Sequence, residues 1–328
     1  MIAARTRRRS NHFAQIRRGI ATAAFVLSAA SANAEPFSVT DAAGHQVVIN
    51  DASRIVSIGG AVTEILYAIG RERQIVGVDA TSLYPTRALR EKPDIGYMRQ
   101  LSPEGVLSLK PSVILAIEGA GPKEAIGVIN TAGIPMVTVP DRFDSAGVLR
   151  KIRVVAGAVG AMEQGECLAA SVGSELAALG SLRAQIKKPV KALFVLSMTG
   201  DRLMVAGQET AADGIIRMAG AENAMTGYSG YKAVNDEAVI AAAPDFILAM
   251  QRGQHDLSAD EVFSHSAFKT TPAAAKRALV TLDGLYMLGF GPRTAQAARD
   301  LAAAFYPHLA GARKPAAGGA TVGTECHG

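Results

Sequence analysis

Short apolar runs alternate with longer amphipathic segments along most of the chain after residue 50. In the longer segments, apolar residues recur at three- and four-residue steps and a glycine often closes the pattern, which is typical of helices. Residues 35–50 predict a small hairpin. Short strands are predicted at 54–58, 75–78, 113–116, 136–139, 192–196, 246–249 and 280–282. Strands alternating with helices at this spacing indicate parallel α/β sheets.

Residues 145–186 depart from this alternation. They contain no proline, and their apolar positions recur at helical spacing, although several glycines interrupt them. We predict one long helix, which at about 1.5 Å per residue could join two lobes. The predicted fold is therefore α/β, with two Rossmann-like lobes joined by a long α-helix and a ligand cleft between them. The predicted boundaries are 35–142 for the first lobe, 143–187 for the helix, 188–309 for the second lobe and 310–328 for a flexible tail.

An internal repeat supports the two lobes. Residues 104–116 align with residues 237–249 at a constant offset, matching a Glu, a Val, a Pro and an Ile-Leu-Ala run. Chance similarity between two helix–proline–strand units is the alternative. An architecture of two similar lobes explains both the repeat and the long helix. The cleft between two lobes is a natural ligand site.

The first 34 residues predict a signal peptide. Six arginines and no acid precede an apolar run at 19–30, which is too short to span a bilayer. Ala32-Asn33-Ala34 then offers a cleavage site after Ala34, so we expect export to the periplasm. A short amphipathic N-terminal helix is the alternative. No later stretch is long and apolar enough to predict a transmembrane helix.

The net charge of +5 comes from this segment, because subtracting its six arginines leaves −1 for the rest. A near-neutral body lacks the basic surface that nucleic-acid binding requires. Cys167 and Cys326 could pair in an oxidising compartment. We favour two unpaired thiols, with Cys167 buried in a helix and Cys326 in a loose tail.

Signals of catalysis are missing from the sequence. It holds no nucleophile elbow, no zinc-protease motif and no phosphate-binding loop, and its histidines lack metal-ligand spacing. We therefore expect a binding protein and not an enzyme.

The segment around Tyr97 carries the most specific chemistry. Gly96-Tyr97-Met98-Arg99 precedes a helix that Ser102 caps, so it forms a loop at the edge of a lobe. A phenolate is an anionic ligand for ferric iron, and tyrosine is one of the axial ligands of haem. A guanidinium two residues away stabilises the phenolate or pairs with a carboxylate. An ordinary half-buried loop tyrosine is the alternative.

The sequence resembles the periplasmic haem-binding proteins of bacterial haem ABC importers, within the helix-linked class that also binds vitamin B12 and siderophores. The resemblance implies that Tyr97 is the axial iron ligand of transported haem b. It also implies that Arg99 and Arg252, one from each lobe, hold the phenolate or the propionates. The segments that carry it are 54–59, 63–66, 84–85, 96–99, 101–105, 120–122, 250–253 and 288–293.

The resemblance further implies a monomer that docks on an ABC permease dimer through Glu104 and Glu237, the matched acids of the repeat, with arginines as partners. Some haem binders of this type carry a second-lobe histidine where this chain has Ser197-Met198-Thr199-Gly200. Met198 is therefore predicted to pack on the porphyrin or to approach the iron weakly, with Tyr228 and Tyr231 as cleft-wall residues. The alternatives are a ferric siderophore or cobalamin on the same scaffold, and a secreted haem-modifying or hydrolytic enzyme.

Overall fold

A computed structural model describes residues 36–200, 202–251 and 256–309, together with Cys326. The predicted signal peptide, Arg252 and all of the predicted tail except Cys326 lie outside the described residues. None of the helices in the described part combines the length and the apolar character needed to cross a bilayer.

The N-terminal lobe begins with an antiparallel hairpin of β1 (Phe37–Thr40) and β2 (Gln46–Ile49). A four-stranded parallel sheet follows in the order β4-β3-β5-β6. Its strands are β3 (Ile55–Ile58), β4 (Ile75–Val78), β5 (Val113–Ile117) and β6 (Met136–Val139). Strands β3 and β5 are buried along their whole length, because helices cover both faces of a parallel sheet. The first helices are α1 (Gly60–Ala68), α2 (Ala88–Glu91), α3 (Pro103–Ser108) and α4 (Lys123–Thr131).

The segment predicted as one long helix is a helical hairpin. Helix α5 (Ser145–Gly157) belongs to the N-terminal lobe, where it packs on α1. The chain turns through Gly160, whose φ of 61° suits a glycine, and enters α6 (Met162–Arg183). The prediction of one long helix from 145 to 186 was therefore wrong, since the glycines that interrupted its pattern mark a turn.

Helices α5 and α6 run antiparallel in close contact. Gly165 of α6 lies against Ala156 of α5, and Gly173 lies against Leu149. A Cβ atom at Gly165 would come within 2.3 Å of the Ala156 Cβ, so this crossing requires a glycine. The long helix that joins the lobes is α6 alone, whose 22 residues span about 33 Å.

The C-terminal lobe contains a mixed sheet in the order β10-β8-β7-β11-β12, with β9 paired to β7. Strands β7, β11 and β12 are parallel as predicted, whereas β8 and β10 extend the sheet with antiparallel pairs that the sequence pattern did not predict. The strands are β7 (Lys191–Thr199), β8 (Arg202–Ala206), β9 (Glu222–Asn223), β10 (Tyr231–Val234), β11 (Phe246–Gln251) and β12 (Leu279–Asp283). The helices are α7 (Ala211–Met218), α8 (Asp236–Ala242), α9 (Ala259–Ser264), α10 (Pro272–Lys276), α11 (Gly284–Leu288) and α12 (Thr294–Phe305).

The two-lobed α/β architecture is confirmed, and so is the repeat between α3–β5 and α8–β11. The side chains of Ser102 and Asn235 cap the two helices at the same relative position. Lys110 and Ala243, each directly before the shared proline, have left-handed φ values of 47° and 46°. Agreement in the cap, in the backbone angle and in the following proline favours a repeated unit over a chance match of helix–proline–strand units.

The cysteines form a disulfide between Cys167 and Cys326. Cys167 is exposed on α6 and Cys326 is buried, which reverses the expected exposures. The prediction of unpaired thiols was therefore wrong, because separation along the chain gave no indication that the C-terminal end returns to α6.

One apolar cluster connects the lobes. It runs from the N-terminal sheet through α5 and α6 to α12 and the inner face of the C-terminal sheet. A smaller apolar cluster covers the outer face of each of the two sheets. The lobes therefore share a continuous core.

Candidate ligand-binding site

Tyr97 lies in a tight turn that presents its ring to solvent. The Gln100 amide donates to the Tyr97 carbonyl at 2.8 Å and closes the turn. Gly96 enters the turn with a φ of 89°, and its amide donates to Asp94 Oδ1 at 2.8 Å. Tyr97 is 45% exposed. The backbone therefore holds this phenol outside the core, where a ligand can reach it.

Two neighbouring loops are hydrogen-bonded to this turn. The Ala80 amide donates to the Gly96 carbonyl at 2.9 Å, which ties the turn to the loop after β4. The Gly121 amide donates to the Met98 carbonyl and the Leu101 amide donates to the Gly121 carbonyl, both at 2.9 Å. The segments 96–99 and 120–122, which were connected only by the resemblance, are thus hydrogen-bonded to each other, and the loop that contains Ala80 is bonded to the same turn.

Asp79 organises the base of the loop after β4. Its buried carboxylate accepts hydrogen bonds from the Gly59 amide at 2.8 Å, the Thr81 hydroxyl at 2.7 Å and the Ser82 hydroxyl at 3.2 Å. The loops after β3 and β4 therefore share one carboxylate. Sequence reasoning missed Asp79, although its position directly after a predicted strand was a signal.

Tyr231 is the first residue of β10 in the C-terminal lobe. It is 37% exposed, and its ring packs edge-on against Phe194 at 6.4 Å. Burial raises the pKa of Tyr231, while hydrogen bonds from the Ala212 amide and Thr210 and the positive charge of Arg99 act in the opposite direction. The charge of Arg99, which belongs to the N-terminal lobe, is therefore among the causes that act on the pKa of Tyr231.

Met198 and Tyr228 lie on the other face of the C-terminal sheet. A bulge between Val195 and Ser197 reverses the alternation of β7, so Met198 packs into the outer cluster with Tyr228, opposite to Phe194 and Tyr231. The Tyr228 hydroxyl is buried without a hydrogen-bond partner among the described residues. The structure therefore does not bring Met198 or Tyr228 together with Tyr231.

The remaining predicted residues fall into two groups. Glu104 and Glu237 are exposed in the first turns of α3 and α8, at equivalent positions of the repeat. Arg252 lies outside the described residues, and β11 ends at Gln251 directly before it. Within the described part of the chain, no three His, Cys, Asp or Glu side chains are grouped to hold a metal ion.

The profile of the periplasmic binding protein family matches residues 55–285, which include the Tyr97 turn and both repeat units. The chain belongs to this periplasmic binding protein family. Family membership agrees with the helix-linked lobes, and the proteins of this family and the solved structures most similar to the chain are solute-binding proteins, not enzymes.

Three relatives resemble this periplasmic binding protein over most of its length. The periplasmic heme-binding protein RhuT from Roseiflexus sp. RS-1, solved in apo form, is 40% identical with a TM-score of 0.74, and the match covers 79% of this chain and 100% of RhuT. The periplasmic heme-binding protein BhuT, solved with two hemes, is 38% identical with a TM-score of 0.74, covering 78% and 98%. The uncharacterized ABC transporter substrate-binding lipoprotein YvrC of Bacillus subtilis (strain 168) is 28% identical, covering 83% and 86%.

Proposed function

We propose that this protein captures haem between its lobes and delivers it to an ABC importer. The observation that carries the proposal is the exposed Tyr97, held on a turn two residues before Arg99 and braced by two other loops. The chain is similar to RhuT and BhuT over nearly the full length of those two heme-binding proteins, which supports the same ligand. Haem is the cargo in this proposal and is released unchanged.

The Tyr97 phenolate supplies the axial oxygen for ferric iron. Arg99 stabilises the phenolate by its charge or pairs with a propionate through two parallel hydrogen bonds. Tyr231, the first residue of β10, contributes to the opposite wall from the second lobe, and the positive charge of Arg99 acts to lower its pKa. Arg252, which directly follows β11, supplies the second cation of the site.

Delivery uses the equivalent glutamates of the two lobes. Glu104 and Glu237 are exposed at matching positions of α3 and α8. A permease dimer presents two equivalent surfaces, so one arginine on each subunit pairs with one glutamate. The protein acts as a monomer in the periplasm, after export and cleavage behind Ala34.

A haemin titration tests the ligand and its iron donor. The mature protein beginning at Glu35 is titrated beside Tyr97→Ala and beside Tyr228→Phe, a control on the outer face of the second lobe. We expect saturable binding with the absorption of high-spin, tyrosinate-ligated ferric haem in the wild type and in the control. Tyr97→Ala should lose or shift this spectrum.

Other outcomes identify the alternatives. No saturable spectrum in the wild type would reject haem, and parallel titrations with a ferric siderophore and cyanocobalamin would then identify the cargo. An unchanged spectrum in Tyr97→Ala would keep haem but move its ligand to Tyr231 or to a histidine. Conversion of bound haem to an opened product after addition of a reductant would indicate an enzyme.

A further inference from the structure

Arg293 ends the 288–293 motif and reaches from the C-terminal lobe to the N-terminal lobe. Its Nε and Nη2 atoms donate to the two carboxylate oxygens of Glu64 in α1, both at 2.9 Å. The Arg293 amide also donates to Glu64 Oε1 at 3.3 Å. The two side chains are only 7% and 5% exposed. A buried, doubly hydrogen-bonded ion pair therefore joins the lobes.

Aromatic rings surround the guanidinium. It lies 3.6 Å from the ring centre of Tyr84 in the loop after β4, and 5.2 Å from that of Tyr286 in α11. Burial lowers the pKa of Arg293, but hydrogen bonding and charge from Glu64, with smaller contributions from Tyr84 and Asp283, together raise it, so the net shift is upward. Arg293 thus stays charged, and a cation over a ring stabilises that ring's position.

A second buried cation crosses the lobes in the opposite direction. Lys151 of α5 is fully buried and donates to Asp141 Oδ1 at 2.7 Å and to the Gly289 carbonyl of the second lobe at 3.3 Å. Gly291 lies so close to Glu64 that a Cβ atom there would be 3.4 Å from its carboxylate. The 288–293 segment is therefore held against the N-terminal lobe by two buried cations, one from each lobe.

A short chain of contacts leads from this ion pair to Tyr97. Tyr84 belongs to the same loop as Ala80, whose amide holds the Gly96 carbonyl at 2.9 Å. Thr81 of this loop also accepts from the Gly60 amide at 2.9 Å, at the start of the helix that carries Glu64. The loop between Arg293 and Tyr97 is thus fixed at both ends.

We propose that Arg293 is a positioning residue for ligand capture. By pairing with Glu64 and stacking on Tyr84, it fixes the separation of the lobes and holds the loop that supports the Tyr97 turn. The proposal rests on the proposed haem function only for its ligand readout, because the effect on the turn exists in the ligand-free protein.

The test uses Arg293→Lys, which keeps the charge but loses the two-pronged geometry. Tyr84→Leu and Tyr84→Phe separate loss of the ring from loss of the hydroxyl, with the ion pair retained. Arg153→Gln is the control, because it removes the exposed Arg153–Glu166 pair between α5 and α6, away from the second lobe. Amide hydrogen exchange over residues 96–101 is measured without ligand, and haem dissociation into excess apomyoglobin is measured after loading.

Arg293→Lys and Tyr84→Leu should each speed amide exchange in the turn and haem dissociation about tenfold. Tyr84→Phe and Arg153→Gln should match the wild type. A lower melting temperature with unchanged exchange and dissociation would make Arg293 a purely structural residue and overturn the proposal. If the wild type binds no haem, the proposed function fails, whereas the exchange rates still decide the role of Arg293.

Discussion

The two lobes share the repeated helix–proline–strand unit but differ in the segment directly before it. Units α3–β5 and α8–β11 agree in helix cap, in the left-handed residue before the proline and in the exposed glutamate. Immediately before the caps they differ: the N-terminal lobe has the turn that presents Tyr97, and the C-terminal lobe has the antiparallel strand β10 that begins with Tyr231.

Under the proposed function, this difference separates docking on the permease from binding of the ligand. A permease dimer offers two equivalent surfaces, so equivalent glutamates suit it. An iron ligand is needed from one side, so the segments facing the ligand have no reason to remain alike. A chain that docks on a two-fold partner and binds one ligand asymmetrically is therefore expected to keep its repeated units alike. The segments that precede those units are expected to differ.

The largest expected effect tests the divergent segments. Tyr97→Phe should weaken haem binding about 100-fold or more, because loss of even an outer-shell partner of a metal site costs 10- to 100-fold. Tyr231→Phe should change the affinity less than about threefold, since its ring and its packing on Phe194 remain. Haemin titrations followed by absorption measure both affinities.

Equal losses in these two variants would mean that both phenols reach the iron, and the asymmetry argued above would be wrong. Tyr306→Phe is a suitable control, because its hydroxyl donates to the Gly220 carbonyl inside the second lobe. It should lower stability without changing the haem spectrum.

The next largest effect tests whether the exposed glutamates of the two repeated units are equivalent. Glu104→Ala and Glu237→Ala should each weaken docking about tenfold, or about 1.4 kcal/mol, and the double variant should show the product, because the residues lie in different lobes. Binding of loaded protein to the importer in nanodiscs measures this, with exposed Glu124→Ala of α4 as control. A large loss from only one of the two glutamates would contradict symmetric docking.

The sequence predicted the parts of the fold that depend on local pattern. The buried parallel strands, the cap at Ser102 and the repeat were visible because each depends on residues close together along the chain. The loop position of Tyr97 could also be predicted, because glycine and the following helix cap bracket it.

Features that depend on distant segments could not be predicted. The disulfide joins residues 159 positions apart, and the Glu64–Arg293 pair joins residues 229 positions apart. The bulge in β7, which places Met198 on the outer face, depends on pairing with a strand that the pattern did not reveal. The α5–α6 hairpin is a different case, because its turn had a local signal in the glycines, but the helical spacing of the apolar positions favoured one helix.

A smaller effect compares the two helix caps. Ser102 Oγ accepts from the Gly105 amide at 3.3 Å, and Asn235 Oδ1 accepts from the Ala238 amide at 3.1 Å. Ser102→Ala and Asn235→Ala should each lower the free energy of unfolding by about 1 kcal/mol. Urea unfolding measures this, with Ser171→Ala on the exposed face of α6 as the control that should not destabilise. Clearly unequal losses would show that the two units have diverged in energy while keeping their geometry.

The smallest expected effect concerns the left-handed residue before each proline. Lys110→Gly and Ala243→Gly should each stabilise the protein by about 0.5 kcal/mol, because relief of backbone strain exceeds the added entropy of glycine in the unfolded chain. Ala132, which ends α4 with a φ of −74°, is the matched control, and Ala132→Gly should destabilise by about the same amount. If Ala243→Gly also destabilised, the left-handed turn would carry no strain, and the shared angle would reflect only the path that the chain must take from each helix into its strand.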